Sequence, residues 1–152
     1  MKRPFILLLF VPLLWLSGCG GSKTADESAT TAAKPATPEV IDPMEDKGIG
    51  PIKSVTLGPI DDAMVAKGKE AYELKCTACH KVEKRFIGPS PQGILTRRTP
   101  EWIMNMILNP DEMVKDNAQA RALLAEYMAP MANQNLTEEE ARAVLEYFRT
   151  LK

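Results

Sequence analysis

Five consecutive residues hold most of the chain's reactive side chains: Cys76-Thr77-Ala78-Cys79-His80. Two thiols three positions apart, with an imidazole directly after the second, form the C-x-x-C-H pattern of c-type haem attachment. The spacing has a physical basis. At a helix end the two thiols lie close enough to add to the two vinyl groups of one haem, and the histidine that follows sits under the iron with a ring nitrogen to offer. Thioether formation consumes both thiols. Three other chemistries use the same residue types. A thioredoxin-like redox pair needs a βαβ setting, and no strand pattern is readable. A zinc site needs four ligands, whereas the stretch after residue 19 supplies two cysteines and one histidine. A structural disulfide between Cys76 and Cys79 would make His80 incidental.

The rest of the composition narrows the function further. The chain has 152 residues, 3 Cys, one His, and 19 basic against 20 acidic side chains. That length holds one small domain. The balanced charge provides no broad positive field for binding phosphates, so nucleic acid is excluded as a partner. A single histidine excludes bis-histidine haem ligation within one chain. The third cysteine, Cys19, closes a different pattern. Met1-Lys2-Arg3 precedes an apolar run from Pro4 to Leu16. That run is shorter than the ~20 residues a spanning helix needs, and it reads as a secretory signal. Leu16-Ser17-Gly18-Cys19 resembles the lipobox of bacterial lipoproteins, in which the cysteine is acylated and becomes the first mature residue. Residues 1–18 are therefore expected to be a lipoprotein signal peptide, with Cys19 the lipidation site. Two or three acyl chains anchor stably where one does not. Export places the C-x-x-C pair in an oxidising compartment, and thioethers to haem would keep it from forming a disulfide.

These residues need elements to position them. Residues 19–55 are rich in Ala, Thr, Ser, Pro, Gly and charge, lack a sustained apolar period, and are expected to form a disordered tether. Its reach would be about 30–36 Å for a flexible coil. Residues 56–152 read as all-α, with about four helices. Asp61-Asp62 caps a first helix that delivers the chain to Cys76. Thr99-Pro100-Glu101 opens a second helix and Asn109-Pro110-Asp111-Glu112 a third, running to about Tyr127. Thr137 and Glu140 form a capping box ahead of a last helix whose Ala141, Val144, Leu145 and Phe148 share one face. Such a thin core would gain from a group bound at its centre.

Over roughly residues 60–152 the chain resembles class I cytochromes c. Gly68 and Tyr72 match the positions by which the family's first helix packs on its last, with Val144 and Tyr147 as partners. Ile87-Gly88-Pro89-Ser90-Pro91-Gln92-Gly93 is similar to the family's G-P-x-L-x-G loop, with Pro91 in place of the leucine. The resemblance implies one covalent haem c in a cytochrome c-like fold. It also implies that the Pro89 carbonyl accepts a hydrogen bond from the second nitrogen of His80, fixing its tautomer. The family's second iron ligand is a methionine just before the last helix. Met131, six residues ahead of Thr137, fits that place, and Met128 is the alternative. Arg97, Arg98 and Trp102 are candidate contacts for the haem propionates. A thioether ligand favours Fe(II) and increases the reduction potential.

With both axial positions filled there is no vacancy for substrate. The expectation is an electron carrier and not an enzyme, with a haem-based ligand-binding or sensor module as the alternative if the methionine is displaceable. Lys75, Lys81, Lys84, Arg85, Arg97 and Arg98 face one acid, Glu83, across the segment after the first helix. They read either as a face that steers an acidic partner or as solvated charge and propionate partners. Expected partners are redox proteins: a quinol-oxidising complex or another cytochrome as donor, a terminal oxidase or reductase as acceptor. Residues 97–110 also look like monohaem lipoprotein cytochromes associated with nitrous-oxide reduction. The haem domain is expected in the periplasm. Gly20 after Cys19 is not the aspartate that retains some lipoproteins at the inner membrane, which tilts toward the outer one.

Overall fold

The computed structural model describes residues 41–152, so the signal peptide, Cys19 and the tether as far as residue 40 lie outside the described residues. These residues form five α-helices and one 3₁₀ turn, with no strand among them. The helices are α1 (Asp62–Lys75), α2 (Pro100–Leu108), α3 (Pro110–Asp116), α4 (Ala118–Tyr127) and α5 (Glu138–Phe148), and the 3₁₀ turn covers Ile94–Thr96. Each start has a local cause. The Asp61 carboxylate accepts from the Ala63 and Met64 amides, the Thr99 hydroxyl accepts from the Trp102 amide ahead of Pro100, and Thr137 and Glu140 form a reciprocal capping box. Together these satisfy donors that the first turns leave without helical partners.

The helix expected to run from Asn109 to Tyr127 is two helices. Asn117 adopts an extended backbone between them, and its side chain caps α4 by accepting from the Ala120 amide. Its amide group also donates to the Asp46 carboxylate at 2.8 and 3.0 Å. That tertiary contact stabilises the break, and local periodicity carries no trace of it.

The frame that positions the rest is the crossing of α1 and α5. Gly68 lies directly on the backbone of α5, where an added Cβ would stand 1.9 Å from the Ala143 carbonyl oxygen. One turn on, Tyr72 is 2% exposed. Its ring packs on Tyr147 at 5.6 Å and edge-on to Phe148 at 5.7 Å, a geometry that contributes about 0.5–1.5 kcal/mol per pair beyond area burial. Burial pushes the Tyr72 phenol up to about 12, and its hydroxyl has no hydrogen-bond partner among the described residues. A second tie joins the same helices: Glu146, 1% exposed, accepts from Arg142, Arg149 and the Asp61 amide.

The ordered body begins before residue 56. Residues 42–55, expected to belong to the tether, form a strap across α2. The Asn105 side chain accepts from the Ile52 amide and donates to the Lys47 and Ile52 carbonyls, each at 2.9 Å. Glu101 accepts from the Val55 amide at 3.0 Å, and the Thr99 hydroxyl donates to the Asp46 carbonyl at 2.5 Å. Polar side chains on α2 thus provide the order that the strap's own composition lacks. No helix among the described residues is long and apolar enough to cross a membrane.

Candidate functional site

The C-x-x-C-H residues continue the end of α1 by one tight turn. The Cys76 amide donates to the Tyr72 carbonyl, and the amides of Cys79 and His80 donate to the Cys76 carbonyl at 3.1 and 2.9 Å. Thr77 ties the same turn back to the Glu73 carbonyl at 2.8 Å. Cys76 is half-buried and Cys79 exposed, and both thiols are free. Burial pushes the Cys76 thiol up to about 11, with Lys75 opposing and Cys79 reinforcing the shift. Cys76 is therefore a protonated thiol at neutral pH, not a reactive thiolate.

His80 is held by the loop that follows. Its Nδ1 lies 2.8 Å from the Pro89 carbonyl oxygen. A carbonyl can only accept, so Nδ1 carries the hydrogen and, in the neutral ring, Nε2 carries the lone pair. Gly88 provides the clearance. A Cβ there would stand 2.5 Å from His80 Cε1 and 2.9 Å from Nδ1. The Gly88 amide donates to the Cys79 carbonyl at 2.8 Å, the Phe86 amide to the Gly88 carbonyl at 3.1 Å, and the Ser90 hydroxyl to the Val82 carbonyl. Pro91, the departure from the leucine of the resembled loop, is buried, and its carbonyl accepts the Ile94 amide that begins the 3₁₀ turn.

The two candidate methionines stand apart in environment. Met131 is half-buried and packs on the core cluster. Met128 is 86% exposed, in left-handed backbone (φ 51°) where α4 ends. Among the candidate propionate contacts, Arg97 donates to the Ser90 carbonyl at 3.2 Å. Arg98 stacks over the Trp102 ring at 4.9 Å. Trp102 is 2% exposed, with its indole N–H directed at Asn117 Oδ1 at 3.4 Å, so its own polar group is engaged inside the protein. Among the described residues no three His, Cys, Asp or Glu side chains gather as a metal cage.

This donor set fits a covalently held haem. Two thiols share one turn, and the imidazole after them has a fixed tautomer and a free Nε2. The role of Gly88 was not read from the sequence. The available signal was a glycine placed immediately before the proline whose carbonyl meets the imidazole.

Residues 65–152 match the protein-family model described as cytochrome c. Among solved structures the chain is similar to the cytochrome c from Rhodothermus marinus, at 43% identity over 67% of this chain and 89% of that one, with a TM-score of 0.66. An engineered cytochrome c from the same organism, bound to a carbene intermediate, is similar at 43% identity over 67% of this chain and 89% of that one, with a TM-score of 0.63. A cytochrome c domain from Pseudomonas putida matches at 26% identity over 55% of this chain and 85% of that one, with a TM-score of 0.51. No curated protein matches the chain.

Proposed function

The chain belongs to the cytochrome c family, and from that premise we propose that it is a lipid-anchored monohaem electron carrier of the periplasm, with His80 and Met131 as the two iron ligands. One observation carries the reading: His80 is oriented by the Pro89 carbonyl at 2.8 Å, across a gap that only a glycine at position 88 leaves open. Haem c, when bound, supplies a one-electron Fe(II)/Fe(III) couple. The chain's own residues do the rest. Cys76 and Cys79 would hold the group through thioethers. The Pro89 contact fixes the His80 ring, which would leave Nε2 to ligate the iron with increased basicity. Met131, the inward-packed member of its pair, would supply sulfur, and Arg97 and Arg98 would meet the propionates. Bond making is left out: the protein tunes a potential and presents an edge.

Cys19 would carry the lipid, and the residues after it would link it to the strap. Partners would be a quinol-oxidising complex or another cytochrome as donor and a terminal oxidase or reductase as acceptor, nitrous-oxide reductase among them. The testing experiment is a reduced-minus-oxidised spectrum with pyridine haemochrome on the purified chain. One haem c per chain, with the weak red absorbance of thioether-bound Fe(III), is the expected result. Two haems or none would reject the reading, and rapid tight binding of carbon monoxide to the reduced protein would reject it in favour of the haem-based ligand-binding module. For the anchor, Cys19→Ser should release the haem domain from the membrane fraction.

A further inference from the structure

The strap that precedes α1 carries a buried carboxylate into the protein. Asp46 is 6% exposed, and its oxygens accept from the Gly48 amide at 2.8 Å and from the Asn117 side-chain amide at 2.8 and 3.0 Å. A carboxylate can only accept. Asn117 must therefore turn its NH₂ group toward Asp46 and its oxygen the other way, where Oδ1 accepts from the Ala120 amide at 2.9 Å and from the Trp102 indole N–H at 3.4 Å. Asp46, Asn117 and Trp102 thus form a relay that joins the strap to the start of α4 and to α2.

The strap backbone closes on the same indole. A Cβ added at Gly48, which has a φ of 71°, would stand 3.4 Å from Trp102 Cδ1 and 2.7 Å from Met113 Sδ. On the ring itself lies Arg98, at 4.9 Å, with a hydrogen bond to the neighbouring Arg97 carbonyl. Burial lowers the Arg98 guanidinium, while Asp46 opposes that shift and Arg97 reinforces it. A satisfied buried network holds its members in one arrangement, because each alternative leaves a polar group unpaired.

We propose that Asp46 is a positioning residue for the haem site: through Asn117 it holds the indole on which Arg98 rests, and its buried negative charge favours Fe(III) and lowers the reduction potential. The inference rests on the electron-carrier reading, in which Arg98 meets a propionate. It extends that reading to a segment outside the residues 65–152 that match the family model. The strap then has two roles, one in the fold and one in the potential. Removing the charge while keeping the side-chain shape raises the potential, and moving the charge within the relay does not.

The test poises the haem-loaded full chain against a redox mediator at fixed potential and follows exchange of the Trp102 indole proton by nuclear magnetic resonance. Asp46→Asn should raise the Fe(II) to Fe(III) ratio about threefold or more, since a unit charge at an effective dielectric constant of about 20 acts over roughly 20 Å. The indole proton should exchange several-fold faster in the same variant. In Asp46→Asn/Asn117→Asp the pair is exchanged: the new carboxylate still accepts from Trp102 and Ala120, and the new amide donates to it and accepts from Gly48. Both readouts should return to within about twofold of wild type, the coupling that a double-mutant cycle isolates. Glu45→Gln removes an exposed charge one residue away, which solvent screens, and should change neither readout.

An unchanged ratio in Asp46→Asn would overturn the proposal, whatever the indole proton does. Should that variant fail to take up haem, the exchanged pair decides: both readouts near wild type sustain the proposal, and displacement of either overturns it. A wild-type chain that takes up no haem would instead defeat the electron-carrier reading.

Discussion

The segments that would flank the haem, residues 80–93 on the histidine side and 128–136 on the methionine side, are both irregular, yet they are held by different means. On the histidine side, backbone and hydroxyl groups bond one another across the loop: Gly88 to Cys79, Phe86 to Gly88, Ser90 to Val82, and His80 itself to Pro89. On the methionine side, beyond the Met128 amide that donates to the Leu124 carbonyl at the end of α4, the hydrogen-bond ties to the rest of the protein come from long side chains, Asn133 to the Leu108 carbonyl at 3.2 Å and Lys75 to the Gln134 carbonyl at 3.3 Å. Two residues of that region also occupy left-handed backbone, Met128 and Asn135. The imidazole therefore has one available orientation, while the thioether depends on side-chain packing. On the proposed ligation, ligand exchange would belong to the methionine side while the histidine side stays fixed.

The hardest blow to this contrast is Gly88→Ala. Its backbone is not left-handed, so the only new cost is the methyl group, 2.5 Å from His80 Cε1. Because the ring is pinned by Pro89 it cannot yield without losing that bond. Overpacking of this kind costs about 1–3 kcal/mol, and here it acts on the iron ligand itself. The ligated fraction of His80, read from the spectrum of the haem-loaded variant, should fall, the equilibrium constant for ligation dropping about tenfold or more, a factor that about 1.4 kcal/mol already provides. Full incorporation with an unaltered spectrum would show that the histidine side gives as easily as the other.

Next in size is Met131→Ala. The weak red band should disappear and the reduction potential should fall, because a weakly donating ligand that favours Fe(II) is lost. Haem stays attached through Cys76, Cys79 and His80, and carbon monoxide binds the reduced variant readily. Met128→Ala should leave both band and potential unchanged, since that side chain is 86% exposed. The reverse pattern would exchange the two assignments.

Acid separates the loops from the frame that carries them. Burial raises the Glu146 carboxyl, but hydrogen bonds from Arg149, Arg142 and the Asp61 amide outweigh it and hold the group below the usual carboxylate range. A carboxyl depressed in the folded state contributes stability that is fully present above its unfolded value, about 4.3, and is lost as pH falls through the folded one. The α1–α5 crossing should therefore hold, by far-ultraviolet circular dichroism, down to about pH 4. Loss of the red band above that pH, with helicity intact, would report the methionine side alone. Simultaneous loss of both would mean that the two sides are equally coupled to the frame.

What could be read from the sequence follows the range of the interactions. The caps at Asp61, Thr99 and Thr137 bond residues two or three positions away, so three helix starts were legible. Gly68 and Tyr72 were legible because the family resemblance provided their partners on α5. The strap was not, since its order comes from Asn105, Glu101 and Thr99, some 46 to 53 residues distant. The break at Asn117 was hidden for the same reason, its partner Asp46 being 71 residues away. At the site, the thiols and His80 declare themselves by spacing alone. The clearance at Gly88 does not, because a gap around a ring belongs to three dimensions.

The smallest expected effect is the finest probe of the contrast between the loops. Asn133→Ala removes the amide that donates to the Leu108 carbonyl and leaves Met131 in place. The bond that its Oδ1 accepts from the Asn135 amide is lost with it, and each exposed hydrogen bond is worth about 0.5–1.5 kcal/mol, a small share of global stability but a large one for a segment with so few ties. The thermal midpoint of the helices should move by only a few degrees. The red band should be lost several degrees before that midpoint, and carbon monoxide binding should speed up a few-fold. Ser90→Ala on the histidine side also removes two bonds, the one its hydroxyl donates to the Val82 carbonyl and the one it accepts from the Gln92 amide. It should leave the band and the ligand-binding rate as they were, because the Pro89 and Gly88 contacts hold the ring without it. Equal effects from the two substitutions would erase the asymmetry, and a larger effect from Ser90→Ala would reverse it.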